Sequence, residues 1–99
     1  MQIIALRTLR QFWDRYPQAE IPLRVWYSRV RAADWTGPDD VKAEFGSTVD
    51  FVADSRVIFD IGGNKYRLVV HVAYKFGRVL VKFVGTHREY EAIDATVVK

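Results

Sequence analysis

Residues 65–84 read KYRLVVHVAYKFGRVLVKFV, and this stretch decides the fold class. Apolar and polar or basic residues alternate through Lys65–Tyr74 and again through Arg78–Val84, the period of two expected of half-buried strands. Between them, Phe76-Gly77 suits a two-residue hairpin loop, because glycine accepts the positive φ that primed turns require. Such a loop pairs Lys75 with Arg78, Ala73 with Leu80, His71 with Lys82 and Val69 with Val84. Side chains alternate across a strand, so one face collects Tyr66, Leu68, Val70, Val72 and Tyr74 with Val79, Val81 and Phe83. This face is expected to meet the core. The other collects Arg67, Val69, His71 and Ala73 with Leu80, Lys82 and Val84. Arg67, Lys82 and His71 then stand mid-sheet with no carboxylate to pair with, which reads as an anion site. The plainer alternative is a solubilised open sheet face.

Working outward toward the N-terminus, Gly62-Gly63-Asn64 is a turn signal, and Val57–Ile61 and Val49–Val52 read as two further strands. Asp39 and Asp40 follow Thr36-Gly37-Pro38 as the first turn of a short helix that Gly46 ends, with Val41 and Phe45 facing inward. Leu23, Trp26, Tyr27 and Val30 mark one face of a helix from about Ala19 to Ala33, in which Pro22 is tolerated only in the first turn. Leu9, Phe12, Trp13 and Tyr16 mark another helix, stopped by Pro17, with Thr8 as N-cap and Gln11 completing a capping box. Both aromatic stripes are core rather than a ligand box. Gln2–Ala5 is a short strand. The order is strand, two to three helices, then an antiparallel meander: an α+β layer fold.

With 99 residues there is room for one domain, 1–99, and one core. About half the chain is hydrophobic (49%) and 14% is aromatic, a globular rather than disordered composition. The absence of cysteine excludes disulfides and thiolate metal sites, and two histidines, His71 and His87, are too few for a zinc site without carboxylates. No cofactor motif is present. The N-terminal segment has no apolar run long enough for a signal peptide or a membrane span, so a soluble, cytoplasmic protein is expected.

Net charge is only +3, but it is segregated. Asp34–Asp60 holds Asp34, Asp39, Asp40, Glu44, Asp50, Asp54 and Asp60 against Lys42 and Arg56. Ile61–Arg88 holds Lys65, Arg67, Lys75, Arg78, Lys82 and Arg88 and no acid. A segregated basic segment is the electrostatic footprint of a polyanion partner. Immediately after the last strand comes Gly85-Thr86-His87-Arg88-Glu89-Tyr90, which brings an imidazole, a guanidinium, a carboxylate and a phenol together. Histidine can exchange a proton near neutral pH, and tyrosine can hydrogen-bond or stack on a base. If Thr86 caps a short helix, His87 and Tyr90 share one of its faces.

Phe59-Asp60-Ile61-Gly62-Gly63-Asn64-Lys65-Tyr66-Arg67-Leu68-Val69-Val70, together with Gly85–Tyr90, resembles the HigB family of toxins from bacterial type II toxin–antitoxin modules. The shared pattern is a GGN-x-x-R strand opening and a TH-x-EY closing motif, with a basic residue between them where Lys82 stands. A helix ending in Tyr16-Pro17 and a Trp-containing second helix agree with it, so the likeness covers nearly the whole chain. HigB toxins are similar to the RelE-like messenger-RNA endonucleases, many of which act on the translating ribosome. The resemblance implies a RelE-like domain with helices flanking a sheet, and a neutralising antitoxin, usually a helix-turn-helix repressor. It also implies an endoribonuclease, or mRNA interferase, with Arg67, Lys82, His87 and Tyr90 as catalytic residues and metal-independent cleavage. Lys65, His71, Arg78 and Arg88 are expected to bind RNA, although His71 departs from the small or apolar residue expected at its position. A basic RNA- or protein-binding module without chemistry is the rival reading; it has no need of His87.

Overall fold

In the computed structural model, which describes residues 1–99, the alternating segments become adjacent antiparallel strands, β4 (Tyr66–Ala73) and β5 (Arg78–Thr86). They are preceded by β1 (Gln2–Ile4), α1 (Leu6–Arg15), α2 (Glu20–Ala32), α3 (Pro38–Phe45), β2 (Val49–Val52) and β3 (Arg56–Ile61), and followed by α4 (His87–Glu91). The five strands form one sheet in the order β1-β5-β4-β3-β2. Strands β2 to β5 make the expected antiparallel meander. β1 joins β5 in parallel, pairing Gln2 with Arg78 and Ile4 with Leu80, so the sheet is mixed. No helix is long and apolar enough to cross a membrane.

The hairpin differs from the two-residue expectation. Its loop is Tyr74–Gly77, a short 3-10 turn closed by Gly77 at φ 64°. The register becomes Ala73↔Arg78, His71↔Leu80 and Val70↔Val81, then shifts so that Val69 faces Phe83 and Leu68 faces Val84. Lys82 is the extra residue of this β-bulge. A bulge reverses the facing of all that follows it. Phe83 therefore leaves the core face, and Val84 joins it. The exchange is driven by packing: Phe83 meets Ile58, Val69 and Tyr90 on the second face, whereas Val84 packs beside the helices.

The helices lie on the face formed by Tyr66, Leu68, Val70, Val72 and Val79. Leu9, Phe12 and Trp13 of α1 and Leu23, Trp26 and Val30 of α2 are buried there, as their helical spacing predicts. Trp26 packs edge-on to Phe59 at 5.4 Å, and Phe45 does the same at 4.8 Å. Trp26→Ala is expected to destabilise the protein by about 3–5 kcal/mol, through lost burial and the cavity left behind. The shift of the urea midpoint measures this, and a shift worth under about 1 kcal/mol would contradict the packing described.

Two local expectations are corrected. α1 begins at Leu6 with Ala5 as its N-cap, so Thr8 lies inside the first turn and caps nothing. The chain passes directly from the last paired residue of β1 into the helix and leaves no room for a later start. The second face is also not an open sheet. Ile58 and Val69 are buried beneath Ala95, with Ile93 and Val98 alongside. Arg56 anchors that C-terminal segment by donating to the carbonyls of Ala95 and Val98. In α3, Pro38 opens the helix and Asp39 and Asp40 occupy its first turn as expected. The backbone N–H and hydroxyl of Thr36 both donate to Asp40 and hold its carboxyl below the usual range.

Candidate active site

The Gly62-Gly63-Asn64 turn decides where Arg67 stands. Gly62, Gly63 and Asn64 all adopt positive φ, so β3 reverses into β4 with Ile61 opposite Tyr66 and Asp60 opposite Arg67. The Arg67 Nη1 ion-pairs with Asp60. Hence the expectation that no carboxylate faces these cations fails for Arg67: its partner lies one strand away, in the acidic half of the sequence. The remaining edges of the guanidinium face α4. Nη2 is 3.0 Å from His87 Nε2, and the guanidinium carbon is 5.5 Å from the Tyr90 ring centre. Arg67 is mostly buried, with 15% of its side chain exposed, and its Nε has no partner.

The position of α4 follows from its cap. Thr86 accepts from the Glu89 backbone N–H at 3.1 Å, and the Glu89 carboxylate accepts from the Thr86 N–H at 2.8 Å, a complete capping box. The His87 N–H donates to the Lys65 carbonyl at 3.2 Å, tying the helix start to the turn before β4. Glu89 reaches further, to Arg15 at the end of α1, at 3.5 Å. His87 and Tyr90 therefore project from a five-residue helix that is too short to hold itself but is held at three points.

Gly85 makes this approach possible. A methyl group there would come within 2.5 Å of the Phe83 ring and 3.1 Å of Glu89 Cβ. Gly85→Ala is expected to cost about 1–3 kcal/mol by forcing these groups apart. Activity should fall further than stability, because Glu89 holds the cap. Equal loss of both, read from urea midpoints and turnover, would mean that the glycine serves the fold alone.

An arginine N–H only donates, so His87 Nε2 accepts and the ring hydrogen is assigned to Nδ1. Nδ1 lies 3.6 Å from the Glu91 carboxylate, one turn further along α4. The imidazole is about half exposed (46%) and can reach a bound molecule. A phosphate entering here meets a guanidinium, an imidazole and a phenol within one small patch.

Of the residues singled out from sequence, the structure brings Arg67, His87 and Tyr90 into contact. Exposed Lys65 and Arg88 flank them, one in the preceding turn and one on α4. Lys82 does not face His71 as the two-residue loop required, because the bulge turns it toward α1. There it lines an open groove of about 390 Å³ with Thr8, Gln11, Phe12, Arg15, Phe83 and Val84. Arg15 links this groove to the cluster through Glu89. His71 pairs with Leu80 further along β4, partly exposed, and Arg78 lies at the far end of the hairpin, paired with Ala73. Asp60, Glu89 and Arg15 were missed as site residues. Asp60 was available to a reader who counted outward from the glycine turn; the Arg15 contact joins residues 74 positions apart and has no local signal.

Residues 19–93 match the HigB toxin family, described as the RelE-like toxic component of a toxin–antitoxin system. The mRNA interferase toxin HigB of Escherichia coli (strain K12) is 28% identical over 96 residues, covering 96% of this chain and 92% of its own. The mRNA interferase HigB of Shigella flexneri gives the same values. That of Escherichia coli O6:H1 is 23% identical over 94 residues, covering 94% of this chain and 91% of its own. The match spans well over half of the chain, including the Gly62–Arg67 turn and the Gly85–Tyr90 helix start that build the cluster, and the chain therefore belongs to the HigB toxin family, the RelE-like toxic components of toxin–antitoxin systems.

Proposed function

We propose that the chain cleaves messenger RNA at the Arg67–His87–Tyr90 cluster, in the cytoplasm and on the translating ribosome, and so stops protein synthesis. The contact of Arg67 with both His87 and Tyr90 carries this reading, because it assembles an anion-binding group, a proton-transfer group and a stacking group at one point. The relatives named mRNA interferase support it. Cleavage without a metal needs the 2′-hydroxyl to lose its proton and attack the adjacent phosphorus. The bond from phosphorus to the 5′-oxygen then breaks, and that oxygen takes a proton, leaving a 2′,3′-cyclic phosphate and a free 5′-hydroxyl.

In this reaction the scissile phosphate takes Nη2 of Arg67 in place of His87. Asp60 keeps the guanidinium plane fixed while its free edge stabilises charge that grows on the phosphorane. His87 Nε2, released from Arg67, is then free to exchange a proton with the reacting oxygen. Tyr90 positions the nucleotide by stacking or by a hydrogen bond from its hydroxyl. Lys82 contributes a point charge from the α1–β5 groove, and Lys65 and Arg88 hold neighbouring phosphates. A helix-turn-helix antitoxin is the proposed neutralising partner.

The test in cells is induction of the chain in a growing bacterium, followed by mapping of message ends. New 5′ ends within translated regions, absent when the antitoxin is co-expressed, are expected. Arrested growth with intact messages would refute cleavage.

A further inference from the structure

The hairpin tip lies away from the cluster, and the reaction above does not use it. Phe76 is the most exposed aromatic residue of the chain, at 68% exposure. Two cations flank its ring: Lys75 Nζ and the Arg78 guanidinium carbon each lie 6.0 Å from the ring centre. Neither cation forms an ion pair, unlike Arg15, Arg24, Arg29 and Arg67. The loop is also well anchored. Gly77 takes the left-handed conformation, and its carbonyl accepts from the Gln2 N–H at 2.7 Å, fixing the tip to β1.

An aromatic face in water costs free energy and is unexplained by packing, since Phe76 belongs to neither hydrophobic cluster. Beside two unpaired cations it has the make-up of a stacking platform for a nucleobase, with Lys75 and Arg78 at hand for the neighbouring phosphates. A protein-binding hot spot of this size would draw on further exposed apolar neighbours, and the side chains beside Phe76 are the two cations. We propose that Lys75, Phe76 and Arg78 form a second RNA-binding site that grips the same strand that is cut. β4 separates it from the cluster: from Arg67 to Ala73 the strand rises by about 20 Å. The bound RNA therefore spans the length of the sheet, and the tip holds bases several nucleotides from the scissile bond.

This inference rests on the reading that the chain acts on RNA, and binding is measured separately from cleavage so that the two fail separately. The probes are single-stranded oligonucleotides with 2′-deoxy substitution at the cut site, one about twenty nucleotides long and one of four. Phe76→Ala is expected to weaken binding of the long probe about tenfold or more and to leave that of the short probe unchanged. Lys75→Glu with Arg78→Glu should also weaken the long probe and lower the slope of log K against log salt by about 1 to 2. All three residues are exposed or at a loop, so these proteins should fold as the wild type does; the thermal midpoint checks it. Equal affinity of wild type and variants for the long probe would overturn the proposal. So would a defect seen only on ribosomes, which would move the site's ligand to ribosomal RNA. Wild-type protein that binds the long probe through the tip yet cuts no RNA of any length would leave this site standing and remove the proposed cleavage.

Discussion

Arg67→Ala is expected to lower turnover by about two to three orders of magnitude, the usual cost of removing one group that stabilises charge in the transition state. The structure sharpens this expectation in one respect. Removing the guanidinium leaves Asp60 partly buried without its partner, so some loss of stability accompanies the loss of activity. Arg67→Lys separates the two effects. A lysine keeps a positive charge beside Asp60 and should recover most of the stability. It cannot reproduce the planar fork that faces Asp60, His87 and a phosphate together, and turnover should stay at least tenfold low. Urea midpoints and single-turnover cleavage rates on one RNA report both quantities. A folded Arg67→Ala protein with wild-type turnover would remove Arg67 from the chemistry and leave its contacts with Asp60 and Tyr90 as a structural device.

His87→Ala has the second largest expected effect. Loss of a positioned acid or base costs about two to four orders of magnitude in rate. The fold should be little affected, because the imidazole makes no buried contact, and the backbone N–H that donates to Lys65 is kept. Affinity for RNA should also hold, since Arg67 gains a free Nη2 edge when its imidazole partner goes. The variant thus distinguishes a nuclease from a module that only binds: the first keeps affinity and loses turnover, whereas the second loses nothing. Unchanged turnover would place proton transfer on another group.

The fold class was legible wherever one periodicity ran unbroken. The strands from Val49 onward and the stripes of Leu9–Tyr16 and Leu23–Val30 appear where their spacing puts them. The Thr86 cap was legible too, because a capping box is a local pattern. What failed was register. Nothing in KYRLVVHVAYKFGRVLVKFV distinguishes a two-residue loop from the four-residue loop and bulge observed, since both keep β4's alternation intact. The difference moves Lys82 to the edge of α1 and sends Phe83 to the opposite face. The covering of the second face by Ile93–Val98 was equally hidden, because that segment has no periodicity and acquires its role only by lying on Ile58 and Val69. In the cluster, Arg67 stood out by its place on the sheet face and His87 and Tyr90 by residue type, but it was the resemblance to HigB toxins that joined them into one set. Asp60, which orients Arg67, sits in an acidic stretch whose composition pointed away from the site.

The most direct test of the cluster as a cleavage centre is the end chemistry of a defined message incubated with purified protein, with and without translating ribosomes, beside His87→Ala. Wild type should yield fragments ending in 2′,3′-cyclic phosphate with 5′-hydroxyl partners, and His87→Ala should bind the same RNA and leave it whole. Intact RNA in every lane, with both proteins folded and bound, would contradict the account and make this chain a binding module.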